Sequence, residues 1–144
     1  MGISRYNKEG YQDPTTYEAL TKIEKEEKAA KKTAFKPLVY ICSPYAGDVE
    51  CNVDMARVYS RFALKQNAIP LAPHLLFPQF MDDGNPAERE LAMFMNLVLL
   101  GKCNELWVFG GEISKGMAAE IAKAEKRNTP IRYFTEELEE VTGL

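Results

Sequence analysis

From residue 37 onward the apolar positions follow two alternating rhythms. Short unbroken runs fit buried strands: Leu38 to Cys42, Ile69 to Ala72, Leu106 to Phe109, and the stretch Pro130 to Phe134. Between them apolar residues recur every three or four positions, as on one face of a helix. Asp48 can cap the first such helix, which carries Val53, Ala56, Tyr59 and Ala63 and runs to about Gln66. Asn85-Pro86 opens the second, with Leu91, Phe94, Met95, Val98 and Leu99 on one side, and Gly101 ends it. Ser114 caps a third helix that reaches about Arg127, and Thr135 is expected to start a terminal helix. Strands alternating with helices imply parallel βαβ units with right-handed crossovers, an α/β fold with a mostly parallel sheet of four to five strands.

Residues 1–36 read differently. They are polar and charge-dense, ending in the run Lys22 to Lys32. Asp13-Pro14 has the form of a helix start, and Tyr17, Leu20 and Ile23 leave one thin apolar stripe. The expected organisation is an N-terminal helical extension over 1–36, packed on the domain or on a second subunit, then an α/β domain over 37–144. A disordered arm is the alternative for the extension.

Composition narrows the partners. The 144 residues are 46% hydrophobic and 27% charged, with a net charge of −3. No basic stripe stands out, so a nucleic-acid polymer is not indicated. No apolar run approaches the ~20 residues of a membrane span, and the polar N-terminus is not read as a signal peptide. Cys42, Cys51 and Cys103 are an odd, unpaired set beside a single histidine. They make a poor disulfide framework and a poor zinc site, and are expected to be buried reduced thiols of a cytoplasmic protein.

In parallel sheets ligands bind beyond the carboxyl ends of the strands, which places attention on loops 43–48, 73–84 and 110–116. Ser43-Pro44-Tyr45-Ala46-Gly47-Asp48 joins a strand to a helix N-terminus. It can face an anion or polar ligand, or be a plain turn with an Asp cap. It is not the G-x-G-x-x-G fingerprint of a dinucleotide cofactor. His74 can contact a ligand or transfer a proton, or simply hydrogen-bond a loop carbonyl. Asp82 and Asp83 are acids near a pocket or solvated turn residues. In Gly110-Gly111-Glu112-Ile113-Ser114-Lys115-Gly116-Met117-Ala118-Ala119-Glu120, helical side chains lean toward the N-terminus. The Glu120 carboxylate then reaches toward Gly116, which has no side chain to cover it; the alternative is a solvated glutamate on an Ala-rich helix.

Taken in order, Ser43-Pro44-Tyr45, Pro73-His74, Trp107-Val108-Phe109-Gly110 and Ser114-x-Gly116-Met117-x-x-Glu120 resemble the nucleoside 2-deoxyribosyltransferase-like family, in its small bacterial and phage-type members. The resemblance covers about residues 37–134. It implies a flavodoxin-like, Rossmann-like three-layer sandwich and a pocket for a nucleoside or nucleotide, with no metal and no cofactor. It implies that Glu120 attacks the anomeric carbon of a 2-deoxyribosyl group and that Tyr45 lies near the sugar and nucleophile. Ser114 has the spacing of a serine that helps bind a 5′-phosphate, and Ser43, Gly47 and Gly116 would line the same pocket. Relatives carry an aspartate that assists base departure, where this chain has Asn96, and an aspartate before the third strand, where it has Asn104. A homo-oligomer is implied as well, with Met93, Phe94 and Met95 as interface candidates. Three functions follow: an enzyme acting on the N-glycosidic bond, a nucleotide-binding module without turnover, and an interaction domain worked by its N-terminal helix.

Overall fold

The computed structural model describes residues 18–26 and 35–142, in two compact units divided between Phe35 and Lys36. In the first unit residues 18–26 are helical (α1), and Leu20 and Ile23 are exposed. The Asp13-Pro14 start and Tyr17 lie outside the described residues.

The second unit is built on one five-stranded sheet: β1 (Leu38–Cys42), β2 (Ile69–Leu71), β3 (Glu105–Phe109), β4 (Ile131–Phe134) and β5 (Glu140–Val141), ordered β2-β1-β3-β4-β5. The first four are parallel and β5 runs antiparallel to β4. Three helices make the crossovers: α2 (Val49–Lys65), α3 (Pro86–Leu100) and α4 (Lys115–Lys126). The chain moves from β1 out to β2, then returns past β1 to β3 and β4. Its direction reverses between β1 and β3, where crevices open at the carboxyl ends of such sheets. This is a flavodoxin-like α/β fold.

Strand periodicity divides the core in two. Val39, Ile41, Trp107 and Phe109 face α2 and pack with Tyr59 and Ala63. Tyr40, Cys42, Leu106 and Val108 face the other way, against Leu100 of α3 and Met117 and Ala124 of α4. On the α2 side Tyr59 stacks on Phe109 at 4.3 Å, and Phe109 on Phe134 at 5.0 Å. Asn104 clamps β1 to β3: its Oδ1 accepts from Leu38 N at 2.8 Å and its N–H donates to Leu38 O at 2.7 Å.

Three expectations change. No helix starts at Thr135. Its N–H donates to Glu139 O, its Oγ1 accepts from Glu139 N, and Leu138 takes φ 69, which closes a turn into β5. Arg132 then holds Glu140 through two bonds of 2.7 and 2.9 Å. Among the described residues a helix here would have had Leu138 and Val141 alone to bury, too little for so short a segment. The side of α3 carrying Leu91, Phe94 and Val98 is exposed, Phe94 to 64%, while Asn96 and Leu100 are the buried positions. Cys51 is exposed on the first turn of α2, although Cys42 and Cys103 are buried; all three are free thiols. No helix among the described residues is long and apolar enough to cross a membrane.

Candidate active site

Three caps aim the loops. Asp48 accepts from Cys51 N at the start of α2, Asn85 from Ala87 N and Glu88 N at α3, and Ser114 from Met117 N at α4. Asn52 donates to both Tyr45 O and Ala46 O at 3.0 Å, fixing the loop after β1 from the first turn of α2. Gly47 takes φ 97, a left-handed value that side chains resist, so the turn needs glycine there.

A cavity of about 220 Å³ lies between this loop, the residue 73–83 segment, α3 and the N-terminus of α4. Glu120 and Asn96, both buried, line it, and Ser114, Lys115, Gly116 and Met117 line it from the start of α4. Tyr45, His74, Phe77 and Asp83 line it as well, and Arg89, Ala92 and Met93 come from α3. The Tyr45 and His74 rings are tilted by 50° with centroids 5.1 Å apart. A Cβ added at Gly116 would meet Met93 at 3.7 Å, ordinary contact, so no clash within the protein demands glycine.

Glu120 is 2% exposed, and Asn96 4%. Glu120 Oε2, Asn96 Oδ1 and His74 Nδ1 are buried without hydrogen-bond partners, as is Tyr40 Oη on β1. Buried polar atoms normally find partners, and three such atoms gather around this one cavity. Desolvation raises the Glu120 carboxyl to about 7. The Cys42 thiol and the Tyr40 hydroxyl act against that rise, favouring the carboxylate. Burial, then the charge of Glu120, pushes both of these groups far up, so they remain protonated. Burial lowers His74, with Asp83 opposing, and leaves its ring neutral at neutral pH. Burial also raises the Tyr45 hydroxyl.

Eight residues picked from the sequence therefore share the cavity: Tyr45, His74, Asp83, Asn96, Ser114, Gly116, Met117 and Glu120. Ser43, Pro44 and Gly110 instead line a wider groove of about 900 Å³, with Tyr59 of α2 and the turn after β4. Gly47 and Asp48 line neither; they shape the turn and cap α2. Asp82 is occupied by its own turn, accepting from Gly84 N at 2.9 Å. Sequence reasoning missed Arg89, Lys115, Phe77, Tyr40 and Cys42. Arg89, Ala92, Met93 and Asn96 sit at i, i+3, i+4 and i+7, one helical face, so Arg89 could have been found from Asn96. Tyr40 and Cys42 share a strand face, a signal hidden inside an apolar run.

Residues 37–134 match the model of the family described as domain of unknown function DUF7768. The chain belongs to that family. Its matched region runs from the edge of β1 to the end of β4 and contains every residue lining the Glu120 cavity. No curated protein matches the chain. Among solved structures, a 2-deoxyribosyltransferase from the psychrotolerant bacterium Bacillus psychrosaccharolyticus, described as a biocatalyst for nucleoside synthesis, is similar with a TM-score of 0.56. The two share 13% identity over 67% of this chain and 71% of that one, a likeness of fold. Among the described residues no cluster of three or more His, Cys, Asp or Glu side chains is placed to hold a metal ion.

Proposed function

We propose that this DUF7768 protein cleaves or transfers the N-glycosidic bond of a 2′-deoxynucleoside or its 5′-monophosphate, with Glu120 as nucleophile. The observation that carries the proposal is a buried carboxylate lining a cavity, one oxygen unpartnered, beside the N-terminus of α4. Ionised Glu120 attacks the anomeric carbon and the base departs. Water or a second base then resolves the glycosyl-enzyme, with overall retention. The first N–H groups of α4 have no intrahelical partners and carry the positive end of its dipole. Ser114 accepts from Met117 N and keeps its own O–H to donate, so it and Lys115 suit a 5′-phosphate or hydroxyl. Tyr45 positions the sugar, and His74 and Asp83 contact the base. A cavity of 220 Å³ falls below the ~300–1,000 Å³ of drug-sized ligands and suits a compact one left partly in solvent.

The domain of residues 37–144 carries this chemistry, residues 1–36 form an appended extension, and the protein works in the cytoplasm as a homo-oligomer. Incubation with 2′-deoxynucleosides and their 5′-monophosphates, with and without an acceptor base, tests the proposal by chromatography of released base. Release by the wild type and none by Glu120→Ala supports it; no release from any compound sinks it. A second reading, a nucleotide-binding module without turnover, is favoured by Asn96, which cannot protonate a leaving base. Thermal shift by these compounds without product would select it.

A further inference from the structure

Resting on the N-glycosidic reading above, we infer that the cavity takes glycosides whose base already carries a positive charge, such as ring-alkylated purines or N-glycosyl pyridiniums. A neutral base leaves as an anion unless an acid protonates it, and that assistance supplies ~10²–10⁴-fold in rate. The cavity offers no buried acid for the task. The buried α3 side chain in the cavity is Asn96, a carboxamide without a dissociable proton. Arg89 does not release its proton. His74 is neutral, and Tyr45 is a weaker acid than usual. Glu120 is committed as nucleophile. Asp83 is exposed at the rim, and Lys115 is exposed on the first turn of α4.

The cavity lining carries groups for both a cation and an anion. Asp83 lines the same cavity as the tilted Tyr45–His74 pair and Phe77, which sets a carboxylate and aromatic faces around one space. Aromatic faces attract a cationic ring, most strongly when water is excluded. The orphan Oδ1 of Asn96 accepts from an amino or amide group on the base. Arg89 has no carboxylate partner among the described residues and joins Lys115 and the α4 N-terminus in holding a phosphate.

The chemistry balances without an acid. A Glu120 carboxylate oxygen forms a bond to C1′ as the C1′–N bond breaks. Its electron pair cancels the charge on the ring, and the base leaves neutral. Water then attacks C1′, the ester electrons return to Glu120, and one proton passes to solvent per turnover.

The test compares the full-length protein on two substrates that differ by one methyl and one charge, 2′-deoxyadenosine 5′-monophosphate and its N7-methyl derivative. Base release is read above spontaneous loss. The expected result is a kcat/KM at least ~100-fold higher for the methylated compound. Asn96→Asp should narrow that ratio by raising adenine release ~10-fold or more relative to 7-methyladenine release. Comparable wild-type rates on both compounds, lost in Glu120→Ala, would overturn the cationic-base inference and leave the N-glycosidic reading standing. No release from either compound would remove both. Should Asn96→Asp fail to fold, the wild-type ratio alone decides.

Discussion

Between pH 4.5 and about 7 an unfolded chain gives up the Glu120 proton while the folded protein keeps it. Stability therefore falls with rising pH across that window, since the native state binds more protons. At ~1.4 kcal/mol per pKa unit the cost reaches roughly 3 kcal/mol above the folded pKa. The ionised group is also the one the proposed chemistry needs, so activity should rise over the range where stability is lost. Glu120→Gln removes the titration with little change of shape. It is expected to raise Tm by several degrees near pH ~8, to bring no gain near pH ~4, and to abolish base release. Calorimetry at the two pH values checks the stability half; equal Tm shifts at both would show that Glu120 is not the titrating group. Gly116 gives a second separation of stability from function. Alanine fits its backbone and meets Met93 at ordinary contact distance. Gly116→Ala should stabilise by ~0.5–1 kcal/mol while narrowing the cavity over Glu120. Ligand-induced thermal shift should shrink although the protein melts higher.

At the scale of elements, the alternation of apolar runs and helical periodicity is enough to place four strands and three helices, because a buried parallel strand must be apolar throughout. The caps Asp48, Asn85 and Ser114 could be read because each sits one residue before an apolar periodicity. Two things escaped. The buried face of α3 does not show in the sequence, because its apolar residues are more numerous on the exposed side than on the side holding Asn96 and Arg89. The terminal segment was misread because Thr135 to Glu140 has helical composition, and only the Arg132–Glu140 pair and the Thr135 turn reveal a strand. The candidate site was legible where loops follow strands, at Tyr45, His74 and Ser114 to Glu120. It was hidden where a polar group sits within β1 itself, at Tyr40. The pair with Arg132 is about two-fifths exposed, so Glu140→Ala should cost no more than ~1 kcal/mol. Its effect should be local: faster hydrogen exchange at Thr135 and Leu138, whose N–H groups close the turn, with β1 and β3 unchanged. Exchange that quickens across the whole sheet would mean that β5 stabilises the entire domain.

For the whole molecule, the homo-oligomer proposed above has two candidate seats: the charge-dense extension and the α3 stripe of Leu91, Phe94 and Val98, exposed to 49, 64 and 43%. They can be separated because the residues of the Glu120 cavity all belong to the unit beginning at Lys36. That unit carries both halves of the core on its own sheet. Removal of residues 1–34 is therefore expected to leave cooperative melting and ligand-induced thermal shift intact. Phe94→Glu, at a position 64% exposed, should leave the fold within about 0.5 kcal/mol of the wild type, as surface substitutions do. Light scattering on the two variants then assigns the interface. If the stripe is the contact, Phe94→Glu falls to monomer mass and the truncated protein does not. If the extension is the contact, the pattern reverses. A loss of thermal shift together with mass in Phe94→Glu would have a further meaning. Phe94 follows directly on Met93, a cavity residue, so assembly through this helix would bear on the Glu120 site itself.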